Sequence, residues 1–280
     1  MVRKVVSDDP KKGLSFLYNT KLGRIILKPL VANKLLSTIV GHILDSKLSC
    51  LIIKPFIRKN KIKIDDFERK KYYSFNDFFI RKIKPEKRNI IKDKNAFISP
   101  CDSKLTVYNI NDETMFKIKN TIYSVSSLIM DNALANEYIN GYALVYRLSP
   151  EDYHRYCFID DGEVTKNYKI SGKFHTVNPI VYDKFEVFKE NTRECTIVKT
   201  RNFGQLMYVE VGALLVGKIN NHDVFKFKKG EEKGYFMYGG STVIILIKRN
   251  IVKIDSDILE NSKNGYETYV RFGEKIGEKI

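Results

Sequence analysis

The segment that decides the fold is YFMYGGSTVIILIKRN, which runs from Tyr235 to Asn250. Its residues from Thr242 to Ile247 are β-branched or aliphatic, which is typical of a buried strand. Gly239, Gly240 and Ser241 stand immediately before this run. Glycines weaken a strand and usually mark a bulge, a tight turn or a close approach of two backbones. The sequence therefore predicts a permissive backbone beside a hydroxyl group, at the entrance of a buried strand.

The composition indicates a folded and strongly basic protein. With 280 residues, of which 43% are apolar, the chain can form one large domain, or a domain with an appendage, around a packed core. That apolar fraction excludes general disorder. The 49 basic and 33 acidic residues give a formal net charge of +16, which favours a polyanionic partner, either nucleic acid or an anionic membrane.

The cysteines and the N-terminus indicate the compartment. The four cysteines are widely spaced and form no CxxC pair: Cys50, Cys101, Cys157 and Cys195. This spacing argues against a zinc site or a disulfide framework and favours a reducing cytosol. The N-terminus shows no pattern of a cleavable signal peptide, and no uncharged apolar run reaches the roughly 18 residues that a spanning helix needs.

Residues 1–70 have helical patterning. In KLLSTIVGHILDSKLSC the apolar residues recur at helical spacing, with lysines and arginines on the flanks: Leu35, Leu36, Ile39, Val40, Ile43 and Leu44. From the pattern alone two interpretations stay open. The segment is either a helical cap packed on the core, or a basic helix that lies in a membrane interface.

Residues 71–280 predict a mainly β domain, so the expected fold class is α+β. Ser74 and Asp77 resemble a capping box, and we expect a short helix from there through Arg81. Strands are expected from Ala96 onward, in KLTVYNI, TMFKIKN, YALVYRL and QLMYVEVGALLVGKI, with a helix at SVSSLIMDNALANEY. We expect the tail after Ile251 to be polar and weakly patterned.

Three side chains outside the glycine segment are candidates for chemistry. His154 follows a predicted strand in the loop SPEDYHRY, where it is either a proton-transfer group or a solvated surface histidine. His175, in GKFHTVNPI, has the same two interpretations. Asp102, in SPCDSKL, is either a turn residue or a member of a triad with a histidine and a serine. The absence of GxSxG, GxGxxG and GxxxxGK[ST] motifs disfavours an α/β-hydrolase and a nucleotide site.

Taken together, these segments resemble the bacterial, pyruvoyl-dependent phosphatidylserine decarboxylases. The resemblance runs from Tyr72 to Lys248 and includes SFNDFFIRKIKPEKR, SPCDSKL, LSPEDYHRY, FHTVNP, MYVEVGALLVGKI and KGEEKGYFMYGGSTVIILI. GGST alone is a weak signal, whereas GGST downstream of the other segments in unbroken order is a strong one.

The resemblance implies an inactive proenzyme that cuts itself between Gly240 and Ser241. The Ser241 hydroxyl would attack the carbonyl of the preceding glycine, and β-elimination of the resulting ester would leave Ser241 as a covalent pyruvoyl group. Carried over by motif, Asp102 orients His154, and His154 deprotonates Ser241. The pyruvoyl group would form an imine (Schiff base) with phosphatidylserine and act as an electron sink while carbon dioxide leaves. The product would be phosphatidylethanolamine, with no metal required.

One position departs from the family pattern. Relatives often carry a second histidine three residues after the first, where this chain has Cys157. Either His154 serves both self-cleavage and decarboxylation, which is the alternative we favour, or His175 takes one of the two roles.

The implied substrate also predicts partners and location. Because phosphatidylserine is an anionic lipid, we expect a peripheral enzyme on the cytoplasmic face of the cell membrane, attached through residues 1–70. The β chain, residues 1–240, and the α chain, from Ser241 onward, should stay associated. A homo-oligomer is left open, and no nucleic-acid partner is expected.

Two other functions remain as alternatives. The first is a pyruvoyl-dependent decarboxylase of a soluble amino acid, which would have no use for a basic amphipathic N-terminus. The second is a non-catalytic basic module that binds membranes or nucleic acid, which leaves the order of the motifs unexplained.

Overall fold

The computed structural model describes most of the chain. The described residues are 3–6, 12–23, 25, 27, 34–69, 71–118, 121–182, 185–213, 218–237, 239 and 241–280. Gly240, on the amino side of the predicted cleavage site, lies outside them. Helices with fully described bounds include α1 (Lys12–Asn19), α2 (Lys34–Asp45), α3 (Ile53–Asn60), α4 (Phe75–Phe79), α5 (Val125–Ile129), α6 (Asn132–Asn136), α7 (Val187–Glu190) and α8 (Ser256–Lys263). Short 3₁₀ helices cover Lys47–Ile52, Ile64–Asp66, Pro85–Lys87 and Pro179–Val181.

Apart from the first, the described strands lie between Ala96 and Lys279. They are β1 (Val5–Val6), β2 (Ala96–Ile98), β3 (Ser103–Asn109), β4 (Met115–Ile118), β5 (Thr121–Ser124), β6 (Tyr142–Leu148), β7 (Arg155–Cys157), β8 (Gly162–Ile170), β9 (Arg193–Thr200), β10 (Gly204–Val211), β11 (Ile219–Asn221), β12 (Lys226–Phe227), β13 (Glu232–Phe236), β14 (Ser241–Ile247), β15 (Val252–Ile254), β16 (Glu267–Val270) and β17 (Lys275–Lys279). The expected α+β class with a mainly β core is confirmed.

A nine-stranded antiparallel sheet forms the centre of the protein. Its strand order is β1-β16-β3-β6-β14-β10-β9-β8-β12. The predicted buried strand is confirmed as β14, which begins at Ser241 and is the middle strand. All 7 residues of β14 are buried, because β6 and β10 pair with it on either side and both faces of the sheet are covered.

Each face of the sheet has its own hydrophobic core. On one face, Val209 and Ile244 pack with apolar residues of α1, α5, α6 and α7. On the other face, Tyr208 and Val243 pack with residues of β7, β13 and α8. Residues that face each other across paired strands point to the same side, so the alternation along β10 and β14 divides their side chains between the two cores.

The N-terminal helices pack on the domain through a third cluster. Leu44 of α2 and Ile53 of α3 contact the aromatic residues of α4, which are Phe75, Phe78 and Phe79. This contact confirms helices before the β core, whereas the division of the chain at residue 70 stays a prediction. In the described ranges, no helix combines the length and the apolar character that crossing a membrane requires.

A side-chain cap starts α4, as its sequence predicts. The Asp77 N–H donates to Ser74 Oγ at 3.1 Å, and Asp77 Oδ2 accepts from the Tyr73 N–H at 3.0 Å. The helix ends at Phe79, two residues before the predicted end at Arg81. Its residues Phe78 and Phe79 are fully buried, so α4 is held in place by its packing in the core.

The prediction of a weakly patterned tail after Ile251 was wrong. β15 and β17 form a sheet with β2, and β16 lies between β1 and β3. Val252, Ile258, Val270 and Ile276 are all buried. These strands have only 3 to 5 residues, too few for an alternation to stand out, and most of their partners are far away in sequence.

Candidate active site

Strand pairing brings Ser241 and His154 together. Ser241, the first residue of β14, pairs with Leu148, the last residue of β6. After Leu148 the chain turns through Ser149–His154, which we call the histidine loop. The Ser241 Oγ and His154 Nδ1 atoms are 3.2 Å apart, and both residues are only 1% exposed. A hydroxyl and an imidazole that lie far apart in sequence thus meet in a site closed to bulk water.

The backbone before Ser241 has an unusual conformation. Gly239 has a φ of 135°, in a region that side chains with a Cβ rarely adopt. Upstream, the Phe236 N–H donates to the carbonyl oxygen of His154 at 3.0 Å, so the segment that leads to Ser241 is tied to the histidine itself. The glycine at position 239 is therefore required by the turn that delivers the hydroxyl to the imidazole.

The hydrogen bond made by the second ring nitrogen, Nε2, determines the tautomer of His154. His154 Nε2 lies 2.9 Å from the carbonyl oxygen of Ser149. A carbonyl oxygen can only accept, so Nε2 must hold the proton and donate it. Nδ1 then presents a lone pair to Ser241, and the hydroxyl donates to it. This tautomer is the one that a general base for Ser241 needs.

Burial keeps the imidazole neutral. Phe79 packs against it with ring centroids 4.3 Å apart. Burial lowers the pKa of His154 to about 3, against the hydrogen bond to Ser149, and the cations Arg81 and Lys104 lower this pKa further. The base form is therefore present throughout the physiological pH range, although its proton affinity is low.

Asp102, which the resemblance makes the residue that orients His154, has other partners in this structure. Asp102 is buried, as predicted, but both of its carboxylate oxygens accept hydrogen bonds from the guanidinium of Arg88. The distance from Arg88 Nε to Asp102 Oδ1 is 2.9 Å. Asp102 Oδ1 also accepts from the Phe272 N–H at 2.8 Å. A bidentate ion pair is a stronger attraction than a hydrogen bond to a neutral imidazole, and it holds the carboxylate elsewhere. A catalytic role for Asp102 stays a prediction.

His175 lies in a different environment from Ser241. Its ring stacks on Phe185 with centroids 4.5 Å apart and lies 6.3 Å from the ring of Tyr18, in α1. His175 Nε2 is 3.7 Å from a carboxylate oxygen of Glu190, and burial lowers the pKa of the imidazole. Between the two histidines, it is His154 that contacts Ser241. An auxiliary role for His175 stays a prediction.

Sequence reasoning missed three contributors to this site, namely Phe79, Ser149 and Asp152. Ser149 and Asp152 stand in the same LSPEDYHRY segment as His154, and their spacing of three residues is one at which a short polar side chain can bond to a nearby backbone N–H. That spacing was the available signal. Among the residues that the structure describes, no group of three or more His, Cys, Asp or Glu side chains is gathered to hold a metal ion.

The arrangement defines an enzyme site of the nucleophile–base class. It joins a buried hydroxyl, a neutral imidazole in the accepting tautomer and, two residues before the hydroxyl, a glycine with a positive φ. The sequence profile of the family described as phosphatidylserine decarboxylase matches residues 75–278, which include all of these groups.

Full-length relatives agree with this match. The chain is 52% identical over 265 residues to phosphatidylserine decarboxylase proenzyme 2 of Clostridium acetobutylicum, covering 95% of this chain and 91% of the relative. It is 45% identical over 281 residues to the phosphatidylserine decarboxylase proenzyme of Clostridium tetani, with 96% and 93% covered. It is 43% identical over 273 residues to the proenzyme of Ruminiclostridium cellulolyticum, with 95% and 91% covered. The chain belongs to the phosphatidylserine decarboxylase family, and it is a decarboxylase.

Proposed function

We propose that this protein is made as a proenzyme, cuts itself before Ser241 and then decarboxylates phosphatidylserine to phosphatidylethanolamine through a pyruvoyl group at that position. The observation that carries the proposal is the 3.2 Å contact between Ser241 Oγ and His154 Nδ1, two residues after Gly239 with its positive φ. The names of the relatives, all proenzymes, support the same conclusion.

Self-cleavage begins at the Ser241 hydroxyl. As Oγ attacks the carbonyl carbon of Gly240, its proton passes to His154 Nδ1. The bond between that carbon and the Ser241 nitrogen breaks, and the nitrogen takes a proton, which leaves Gly240 joined to Oγ as an ester. Loss of the Ser241 Cα proton then expels the Gly240 carboxylate. The enamine that remains becomes an imine, and water releases its nitrogen as ammonia, leaving the pyruvoyl group.

The residues around Ser241 fit a group of this kind. A pyruvoyl ketone supplies the electron sink that decarboxylation of an amino acid needs. His154 stands at the position where this group would lie, in a site that excludes water, and can hold or deliver a proton at Nδ1. Cys157, in place of the second histidine of many relatives, is fully buried, and burial raises the pKa of its thiol. A thiol that stays protonated is a poor base, which favours His154 in both reactions.

We also propose that the N-terminal segment attaches the enzyme to the cytoplasmic face of an anionic membrane. Five large apolar side chains of α2 and the following 3₁₀ helix are exposed, which are Ile39, Ile43, Leu48, Leu51 and Ile52. The same stretch and α3 carry exposed cations, among them Lys47, Lys54, Arg58 and Lys59. Apolar groups beside cations suit the surface of an anionic bilayer. A decarboxylase of a soluble amino acid would not need this combination.

The test of self-cleavage is the replacement of Ser241 by alanine. We expect the wild-type chain to separate into two bands on a denaturing gel, and mass spectrometry to find a pyruvoyl group at the start of the smaller chain. Ser241→Ala removes the attacking oxygen and should stay as one chain without decarboxylase activity.

Thr242→Val is a matched control for this experiment. It removes the neighbouring hydroxyl from the same buried strand with little change of shape. Thr242 Oγ1 has no hydrogen-bond partner among the described residues, so this variant should cleave normally. Normal cleavage of Ser241→Ala, or an intact wild-type chain, would refute the proposal.

A further inference from the structure

Arg81, which follows α4, is a buried cation. It is only 2% exposed, and in the part of the chain that the structure describes it forms no ion pair with a carboxylate. Its guanidinium donates instead to the carbonyl oxygens of Phe79, Glu151 and Asp152, at 3.1 to 3.3 Å, while its Nε–H has no acceptor among the described residues. Burial lowers the pKa of Arg81 to about 10. Because an uncompensated buried charge is costly, an anion next to Arg81 would stabilise it.

Two aromatic rings pack against this guanidinium. Arg81 Cζ lies 4.6 Å from the ring centroid of Phe67 and 4.9 Å from that of Phe78. Together with the three carbonyl oxygens, these rings hold the cation in one place before any ligand binds. The fork of a guanidinium matches the oxygens of a phosphate or a carboxylate, so an arginine held in this way suits an oxyanion site.

Arg81 lines a pocket of about 280 Å³, which we call the arginine pocket. Its other charged residues are three cations and two carboxylates, namely Arg69, Lys82, Arg155, Glu68 and Asp77. Arg69 lies 3.6 Å from Asp77, and Arg155 lies 2.7 Å from Glu232. The charges that remain are Arg81 and Lys82 against the exposed Glu68, so the pocket is net positive. Its volume is close to the lower end of the usual range for small-molecule sites, about 300–1,000 Å³, and suits a headgroup.

One wall of the arginine pocket is attached to the N-terminal helices. Tyr72 lines the pocket, and its carbonyl oxygen accepts from Cys50 Sγ at 3.4 Å. Cys50 belongs to the 3₁₀ helix Lys47–Ile52, which exposes Leu48 and Leu51. The pocket is therefore next to the surface that we propose to contact the membrane.

The opposite wall belongs to the histidine loop and its flank. Arg81 donates to two carbonyl oxygens of that loop, and Arg155, the residue after His154, donates to the carbonyl oxygen of Ile80 at 2.8 Å. A lipid with its acyl chains at the exposed leucines would thus have its phosphate at the pocket and its headgroup on the side of His154.

We propose that the arginine pocket binds a phosphate oxyanion, which in the working enzyme is the phosphodiester of the lipid headgroup. Phosphate is favoured over a carboxylate because the pocket adjoins the membrane-facing 3₁₀ helix, and the phosphate of a lipid lies between its acyl chains and its headgroup. The assignment to the lipid rests on the proposed function, whereas the binding of a phosphate oxyanion does not.

The binding test uses Ser241→Ala, a full chain that should not cleave, and isothermal titration calorimetry. The probes are glycerophosphoserine, which is a soluble phosphodiester, serine, which lacks the phosphate, and inorganic phosphate. We expect glycerophosphoserine to bind about tenfold or more tightly than serine, because charge-assisted hydrogen bonds to the phosphate are lost in serine. Inorganic phosphate should compete for the pocket but bind more weakly than the diester, since it lacks the remainder of the headgroup.

Two sets of substitutions assign the binding to the arginine pocket. Arg69→Ala with Lys82→Ala removes two exposed cations and should weaken glycerophosphoserine binding about five- to tenfold. Arg81→Lys keeps the charge but loses the fork, and should weaken it about tenfold. Serine binding should change little in either variant.

Arg201→Ala with Lys228→Ala is the matched control, because it also removes two exposed cations that lie near a carboxylate, Asp161. Arg201 follows β9 at the end of the sheet opposite to Ser241. This pair should bind glycerophosphoserine as the parent protein does. In cleaved chains, only Arg69→Ala with Lys82→Ala should raise KM for phosphatidylserine in neutral detergent micelles, by about fivefold with kcat nearly unchanged.

The outcomes separate the possible sources of binding. Equal weakening by both pairs, unchanged affinity in Arg81→Lys, or serine binding as tight as that of glycerophosphoserine would overturn the phosphate site. Inorganic phosphate that binds as tightly as the diester would overturn its assignment to the lipid. If wild type does not decarboxylate phosphatidylserine, the proposed function fails, and the calorimetry still decides whether the arginine pocket binds a phosphate oxyanion.

Discussion

At the scale of single residues, His154 is a weak base that is neutral throughout the physiological pH range. The Ser149 carbonyl fixes the tautomer that a base needs, and burial excludes water from the ring but also lowers the pKa of the imidazole. A base with low proton affinity gives a modest rate enhancement. Such an enhancement would suffice for the proposed self-cleavage, which each chain would perform once.

The depressed pKa of His154 predicts a dependence of stability on pH. The pKa of an unfolded histidine is about 6.5. Between pH 6.5 and about 3, His154 is protonated in the unfolded chain but neutral in the folded chain. The free energy of unfolding should therefore fall as the pH falls, by up to about 1.4 kcal/mol per pH unit from this residue.

Urea unfolding of Ser241→Ala and of Ser241→Ala with His154→Gln isolates this contribution. Between pH 7.5 and pH 5, the first protein should lose about 2 kcal/mol relative to the second. Asp152, whose raised pKa has the opposite effect between pH 3.8 and about 6, is present in both and largely cancels. A constant difference between the two proteins would show that His154 titrates normally.

At the scale of elements, the sequence predicts best those strands that are long and buried. β6 and β14 were evident because seven consecutive residues of each are apolar or β-branched with few exceptions. The short strands after Ile251 were missed, since a strand of three or four residues is defined by its partner rather than by its own pattern. β16, for example, depends on β1 and β3 on either side.

The candidate site also contains residues that a local sequence pattern reveals and contacts that only the fold defines. The segments that carry His154 and Ser241 were identifiable by motif, and the pairing of Leu148 with Ser241 explains why they meet. The partner of Asp102 was not identifiable, because Arg88 lies in a segment without regular patterning and nothing in one sequence shows which cation reaches a buried carboxylate. Tertiary ion pairs of this kind require the fold.

The exposed apolar side chains of the N-terminal helices predict that the protein binds to membranes. Each leucine that enters the apolar layer contributes up to about 1.5–3 kcal/mol. Leu48 and Leu51 are 79% and 77% exposed, so Leu48→Ser with Leu51→Ser should weaken binding to vesicles that contain phosphatidylglycerol by at least tenfold. Binding of the wild-type protein should also weaken with salt and with the removal of the anionic lipid.

Ile122→Ser with Met130→Ser is the control for this pair. These residues are 54% and 70% exposed but belong to β5 and the end of α5. Equal loss of vesicle binding in both pairs would contradict attachment through the N-terminal helices. Deleting residues 1–60 would be a poorer test, since the buried Tyr18, Leu44 and Ile53 belong to the cores of the domain.

At the scale of the whole molecule, the part after residue 240 is built into two of the sheets and into the cores on both faces of the central sheet. It supplies β14 and β16 to the central sheet, β15 and β17 to a second sheet, and α8 to a core. Arg3 alone pairs with Asp255, Asp257 and Glu274, at distances from 2.7 to 2.8 Å. The N-terminal end therefore holds the C-terminal part by ionic contacts as well as by strand pairing.

We expect the two chains to stay together after cleavage. On gel filtration in native buffer they should elute as one particle, and they should separate only in denaturant. Arg3→Ala should lower the denaturant concentration at which they separate, because it leaves three carboxylates without their shared cation. Recovery of either chain alone from native buffer would contradict this expectation.

The position of Ser241 at the start of the middle strand has a consequence for the lifetime of the enzyme. Before cleavage, β14 finds β6 and β10 within one chain, at a rate that is independent of concentration. After the proposed self-cleavage, the same pairing would require a collision between two molecules, which is slow at cellular dilution. We therefore expect unfolding of the cleaved enzyme to be effectively permanent, so that its persistence is governed by the height of the unfolding barrier rather than by an equilibrium.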